Sequence, residues 1–306
     1  MRATWQVDLD LLVPDRAEHN SKDRSPNNVV LPISTSIILK KGSRLLELKT
    51  VIDNHARDHR LRVLFPTDIP TDYAFADSAF DVVKRNTLWN DVKDNMEEHH
   101  PFQPMKRFVT VSDGKQGFSF MSKGLGEYEV MDDARRTLAI TLLRTNRAYM
   151  KANRGQMTPE ELADNIGHHC PGRLEYEYAI VAHKGGWREG GVQQTADDYR
   201  TPVRIIQGVP KAGALPPTSS LVTIEENQAL EVSAFYKSVE AGGYVLRIWN
   251  SSDKTVASNV TFGAPIQSVE AVSMDEERAQ EKLPVANNAF RVELGKSRIL
   301  SLLIKV

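Results

Sequence analysis

The sequence predicts an all-β protein in two parts, a large antiparallel β super-sandwich followed by a small C-terminal β-sandwich. Three observations carry this. Apolar residues recur at every second position through much of the 306-residue chain, the period of half-buried strands rather than of helices. Gly, Asn, Asp and Pro punctuate those runs at short intervals. Gly208 to Ser220, GVPKAGALPPTSS, holds three prolines and two glycines without periodicity, the composition of a linker. The domains are therefore drawn at 1–209 and 221–306, with a linker at 210–220.

Val29 to Lys40 reads as a long strand. In Arg44 to Ile52, Leu46, Leu48 and Ile52 share a face while Glu47 and Lys49 take the other. In His59 to Phe65, Leu61, Val63 and Phe65 alternate with Arg60, Arg62 and Leu64. Met105 to Val111, Phe118 to Ser122 and Thr137 to Leu143 follow. Leu174 to Val181 sets Leu174, Tyr176, Tyr178 and Ile180 against Glu175 and Glu177. Past the linker, Val245 to Trp249 and Ile299 to Val306 read as strands of the smaller sandwich. Helix is scarce. Thr158-Pro159-Glu160-Glu161 is a capping box with proline at the first helical position, and Gly167 is its C-terminal stop. Gln193 to Gln207 stays open between helix and coil, because Pro202 interrupts any helical pattern.

Composition excludes several function classes. The 39 basic residues against 40 acidic ones leave a net charge of −1, so no global field draws the chain to nucleic acid or an anionic membrane. A single cysteine, Cys170, rules out an internal disulfide framework and fits a reducing compartment. The first ten residues lack the apolar run of a signal peptide, and no apolar stretch approaches the roughly 20 residues of a membrane helix. A cytoplasmic location is expected. The sequons at Asn250 and Asn259 are then chance occurrences rather than glycosylation sites.

Motifs for self-contained chemistry are missing. His55 and His59 are four apart, but on an extended chain that spacing spans about 13 Å, too far for one ion. His99-His100 and His168-His169-Cys170 sit in loops without a second pair at finger or ribbon spacing, so no metal is expected in this chain. Gly124-Leu125-Gly126 lies between strands and opens no helix, which removes a dinucleotide fingerprint. A nucleophilic Cys170 would need a base that spacing does not supply.

Leu45 to Pro66, LLELKTVIDNHARDHRLRVLFP, resembles the signature region of the C-terminal β domain of glycoside hydrolase family 38, the α-mannosidases and mannosylglycerate hydrolases. There a strand ends in a D-N turn and leads through D-H-R-L-R-V into the next. Ala76 to Arg85 resembles the family's F-D-V segment with its closing arginine. Gly126 to Val130, Leu138 to Arg144, Gly167-His168, Glu175 to Ala179 and Val245 to Asn250 follow in the family's order.

The resemblance implies a galactose-mutarotase-like super-sandwich, partial here, that begins partway through at Thr4 to Val13. It implies a parent enzyme that is a zinc-dependent, retaining glycosidase acting on mannose-containing glycans or mannosylglycerate. Its zinc and nucleophile belong to an upstream catalytic domain. No H-x-D motif occurs in this chain, so the fragment alone is expected to be inactive and to bind no zinc. Its implied partners are its own N-terminal catalytic domain and the glycan, with a homodimer left open.

Arg85 is the candidate substrate contact, since its guanidinium could fork onto sugar hydroxyls or a carboxylate; the alternative is a surface arginine paired with an acid. Asp81 and His59 are further candidates. Asp58, His59 and Arg60 otherwise read as a structural network, and Asp53-Asn54 as a turn. Two other functions compete: a stand-alone carbohydrate-binding or docking module, and a sugar epimerase on a similar sandwich, which would need a His/Glu pair in a cleft.

Overall fold

The computed structural model describes residues 1–18, 23–87, 100–145, 166–209, 212–213, 216–225, 229–239 and 242–306. The capping box at Thr158 and the histidine His99 lie outside them. Two compact units result: one of Met1–Ser78 with Val83–Pro202, the other of Val203–Val306 with the short turn Ala79–Val82.

The first unit pairs two antiparallel sheets. Its strands are β1 (Arg2–Pro14), β2 (Asn28–Lys40), β3 (Leu46–Asn54), β4 (Arg60–Phe65), β5 (Tyr73–Ser78), β6 (Asp81–Asn86), β7 (Gln103–Pro104), β8 (Phe108–Ser112), β9 (Gln116–Ser122), β10 (Glu127–Val130), β11 (Leu138–Arg144) and β12 (Gly172–Lys184). Eight of them run in the order β1-β2-β3-β12-β9-β8-β5-β6, and four in the order β4-β11-β10-β7.

The alternation read from the sequence is what builds the core. Leu48, Thr50, Ile52 and Asn54 are the buried residues of β3 while their neighbours are partly exposed. Leu48 and Ile52 join Tyr178 and Phe120 of the same sheet and Tyr128, Leu138 and Ile140 of the other in one apolar cluster. Phe120 and Tyr178 stack at 5.4 Å, with Phe65 against both rings. The Tyr178 hydroxyl, which burial would leave orphaned, shares a 2.7 Å hydrogen bond with Thr50.

One open reading is settled and one is corrected. Gln193 to Gln207, left open from the sequence, is helical only within α1 (Val192–Arg200), and Pro202 falls beyond its end in the non-helical stretch 201–209. Val192, Gln193, Ala196 and Tyr199 are its buried face, at helical spacing. Asp53 is not in a turn but in β3, opposite Arg173. Asn54 is the last residue of β3, opposite Gly172; its side chain accepts from the Ala56 N–H at 3.2 Å while its amide donates to the carbonyls of His169 and Cys170.

The second unit is a sandwich of its own. A three-stranded sheet, β13 (Val222–Ile224), β16 (Val256–Phe262) and β19 (Ala289–Leu294), faces a five-stranded one. The latter runs β14 (Leu230–Lys237), β15 (Tyr244–Asn250), β20 (Ile299–Lys305), β17 (Ser268–Val272), β18 (Ala279–Leu283). Leu246, Ile248, Val260, Phe262, Val292, Leu302 and Ile304 fill it. Asn250 is fully buried, its amide donating to the carbonyls of Lys254 and Leu294 at 2.7 and 3.0 Å, so this sequon is a structural asparagine.

Candidate functional site

Among the described residues, one face of the first unit carries large exposed apolar side chains. Trp5, Val7, Leu9 and Leu11 alternate along β1 with Gln6, Asp8 and Asp10. On the polar side the strand satisfies itself: Ser34 donates to Asp8 at 2.6 Å and Ser36 to Gln6 at 2.7 Å. The Ser34 bond, and after it one from the Gln6 amide at 3.2 Å, holds the Asp8 carboxyl below its ordinary pKa. The apolar side continues the core face of the sheet. Trp5 pairs with Ile37, Ile37 with Leu48, and Leu48 with Tyr178, so one row crosses four strands. Along it exposure rises from 1 % at Tyr178 and 8 % at Leu48 to 57 % at Trp5. Leu9 repeats this at 51 %, beside Ile33 and the fully buried Ile52. The large sheet outruns the four strands that roof it.

The residues singled out in the sequence fall in separate places. Arg85, on β6, donates from Nη1 to the Pro104 carbonyl at 3.0 Å. It also lies beside the Tyr128 hydroxyl, which is buried and short of a well-formed hydrogen bond. Burial raises the Tyr128 pKa and the Arg85 guanidinium pulls against that rise. The backbone carbonyl thus stands where an acidic partner was the alternative. Asp81 is exposed and accepts the Val82 N–H at 2.8 Å.

His59 sits at the entry of β4, its N–H donating to the Thr145 hydroxyl at 2.9 Å. Its Nε2 is buried without a hydrogen-bond partner among the described residues. Burial, then the nearby Arg24 charge, lowers its pKa, so the ring is neutral. Next to it Asp58 adopts a left-handed φ of 52° and accepts from the Ala17 N–H, while Arg24 donates to the Asp58 carbonyl. Asp58 and His59 thus bond to Ala17, Arg24 and Thr145 at the strand entry, while Arg60 turns to Glu127.

Arg60 opens a second cluster, on the four-stranded sheet. Glu127 Oε1 accepts from Arg144 Nη2 at 3.0 Å and from the Thr141 hydroxyl at 2.6 Å, and forms an ion pair with Arg60 Nη2 at 2.6 Å. Arg62 pairs with Glu129 at 2.6 Å. The Phe102 ring meets the Arg144 and Arg60 guanidinium groups at 4.4 and 5.0 Å. This cross-strand layer was not visible in the sequence, because its partners lie on strands far apart in the chain.

The most deeply held charge was also missed. Asp77 is 1 % exposed and takes Arg107 Nη2 at 2.8 Å, Nε at 2.9 Å and backbone N–H at 3.0 Å. The same guanidinium reaches Asp197 on α1 at 2.7 Å. These thirty-residue and ninety-residue separations leave no motif.

As to metal, His55 is engaged by Asp53 at 3.1 Å, and the His59 ring meets the Thr145 hydroxyl through Nδ1 at 3.3 Å, its Nε2 being buried. Among the described residues no three His, Cys, Asp or Glu side chains converge to hold an ion. These residues do not fit a zinc centre. Among the described residues no helix is long and apolar enough to cross a membrane.

Comparison with known proteins places these features. Residues 14–148 match the family model "Glycosyl hydrolases family 38 C-terminal domain". Residues 229–302 match "Glycosyl hydrolases family 38 C-terminal beta sandwich domain". The chain is 28 % identical over 290 residues to a putative mannosylglycerate hydrolase of Halalkalibacterium halodurans, covering 94 % of this chain and 30 % of that protein. It is 24 % identical over 292 residues to human alpha-mannosidase 2C1, covering 92 % of this chain and 25 % of that protein. A crystal structure of an alpha-mannosidase from Enterococcus faecalis superposes with a TM-score of 0.79 at 24 % identity, over 100 % of this chain and 34 % of that one. The chain spans about a third or less of each relative.

Proposed function

The chain belongs to the C-terminal β region of glycoside hydrolase family 38, and on that premise we propose that it is the non-catalytic part of an α-mannosidase-type enzyme. It docks against the catalytic portion and completes the wall of its substrate cleft. The parent acts on mannose-containing glycans or mannosylglycerate by a retaining, zinc-dependent route, with the zinc ligands and nucleophile in that other portion.

The observation that carries this reading is the row from Tyr178 to Trp5. Within one sheet face, a strand with 57 % and 51 % exposure at Trp5 and Leu9 continues a face that is elsewhere dry. Monomers do not usually leave such a contiguous apolar surface in water, so a further layer of polypeptide belongs over β1 and β2. Dye binding by the purified chain tests it. The chain alone binds a hydrophobic dye or self-associates, and Trp5→Ser with Leu9→Ser abolishes this without lowering the unfolding temperature. A chain that stays monomeric and dye-free at high concentration favours the stand-alone module instead.

Arg85 is the residue proposed to reach the sugar cleft, because it is only partly buried and its guanidinium is already oriented by the Pro104 carbonyl. Asp81 and His59 are weaker in geometry: one bonds its own backbone, the other keeps its ring in a strand junction.

A further inference from the structure

A groove opens where the turn joining β9 to β10 meets β11 and β12. Lys123, Gly124, Gly126, Glu127, Arg144 and Tyr176 line it around a buried floor of Leu125, Thr141 and Leu142, and its volume is about 420 Å³. That lies in the ordinary range for small-molecule sites.

Three features point to a ligand. Tyr176 is half-buried, yet its hydroxyl makes no hydrogen bond among the described residues; burial raises its pKa, so it is a neutral phenol able to donate and accept. Tyr178, two residues on, has its hydroxyl satisfied by Thr50, so the open hydroxyl at Tyr176 is not a habit of this strand.

The second feature is Gly126. Gly124 needs its glycine, since its φ of +106° is strained for any side chain. Gly126 does not: its φ is ordinary, and a Cβ there would meet only the Met105 carbonyl oxygen, at 3.9 Å. The fold would accept alanine at this position. A bare backbone facing the groove lets another molecule approach.

The third feature is charge. The rim charges are already paired within the protein, Lys123 with Glu177, Arg144 with Glu127, and Glu175 with Lys49 and Arg173. Glu127 engages its partners through Oε1, which leaves Oε2 open, and Arg144 spends one nitrogen on it. An anion or a cation would find no net field there. A neutral ligand rich in hydroxyls would find a phenol, a carboxylate oxygen and guanidinium donors over an apolar floor.

We propose that this groove binds a short stretch of neutral glycan, one or two sugar residues, through Tyr176, Glu127 and Arg144. This deepens the reading of the chain as part of a mannoside-acting enzyme and rests on it for the choice of sugar. The site holds the glycan without reacting with it.

The test is ligand-observed saturation-transfer NMR on the purified 306-residue chain, with methyl α-mannoside and α-linked mannobiose as probes at about 10 mM, suited to millimolar affinity. D-Glycerate serves as the anionic comparison. Saturation transfer to the sugars and not to D-glycerate is expected. Tyr176→Phe should weaken it about three- to tenfold, the loss of one hydrogen bond. Gly126→Ala should weaken it with an unchanged unfolding temperature. No transfer to either sugar, or equal transfer in both variants, overturns the groove. Failure here leaves mannoside hydrolysis by the complete enzyme untouched, whereas failure of the family-based function would appear as absent mannoside turnover in that enzyme, so the two are told apart.

Discussion

Arg107 holds the buried Asp77 carboxylate through two guanidinium donors and its own backbone N–H, all within 3.0 Å. The pair fixes the end of β5 to the start of β8, and through Asp197 it ties α1 to both. Removing one member of such a pair strands the other charge in a dry site.

Asp77→Asn should therefore cost about 3 kcal/mol, the low end for a broken buried pair because Asp197 still faces the guanidinium. Urea denaturation measures this. A loss below about 1 kcal/mol would mean that Arg107 swings freely to Asp197 or to water.

Two half-buried histidines give the stability a pH dependence. Burial depresses the pKa of His59, helped by Arg24, and that of His183, whose Nε2 meets the Ser119 hydroxyl at 2.9 Å. Above the ordinary value of 6.5 neither state is protonated and the groups add nothing. As pH falls below it, the unfolded chain takes up protons first, so stability drops until the folded pKa is passed and then levels off. The urea midpoint should fall between about pH 7.5 and pH 5.5, and His59→Gln should flatten part of that slope. An unchanged slope in His59→Gln would mean that the ring protonates freely in the fold.

Arg85 separates function from scaffold. In the complete enzyme, Arg85→Ala should lower kcat/KM about ten- to a hundredfold, the worth of one charge-assisted hydrogen bond. Arg85→Lys should recover only part, because lysine keeps the charge without the fork. The unfolding temperature should barely move. If it falls in step with activity, Arg85 serves Pro104 and Tyr128 and not the sugar.

Zinc should not copurify with this chain at one ion per molecule. His55 is engaged by Asp53 and the His59 ring by Thr145 through Nδ1, and among the described residues no three His, Cys, Asp or Glu side chains converge. Elemental analysis after dialysis against a mild chelator decides it. One tightly held zinc, lost on substituting His168 and His169, would reverse the conclusion.

The strands were legible in the sequence because alternation is local. Leu48, Thr50 and Ile52 needed no partner to declare their face. Two things escaped for physical reasons. The end of α1 looked ambiguous because Pro202 follows so closely that only the tertiary burial of Ala196 and Tyr199 decides the matter. The clusters of Asp77 with Arg107 and of Glu127 with Arg60 and Arg144 join residues on separate strands, and pairing across a sheet is invisible until topology is known. β1 was not read from its pattern and entered only through the family resemblance, as the stretch Thr4 to Val13. That its apolar side is uncovered could emerge only once the second sheet was seen to stop short of it.

The most direct measurement is turnover of an aryl α-mannoside by the purified chain, alone and joined to a family 38 catalytic portion. The chain alone should show none, since among the described residues no three His, Cys, Asp or Glu side chains converge to hold an ion, and such a centre carries much of a rate enhancement worth many powers of ten. The joined protein should turn over, and Trp5→Ser with Leu9→Ser should weaken that activity by loosening the docked face. Hydrolysis by the chain alone that survives rigorous purification and disappears on substituting one of its own residues would contradict the account.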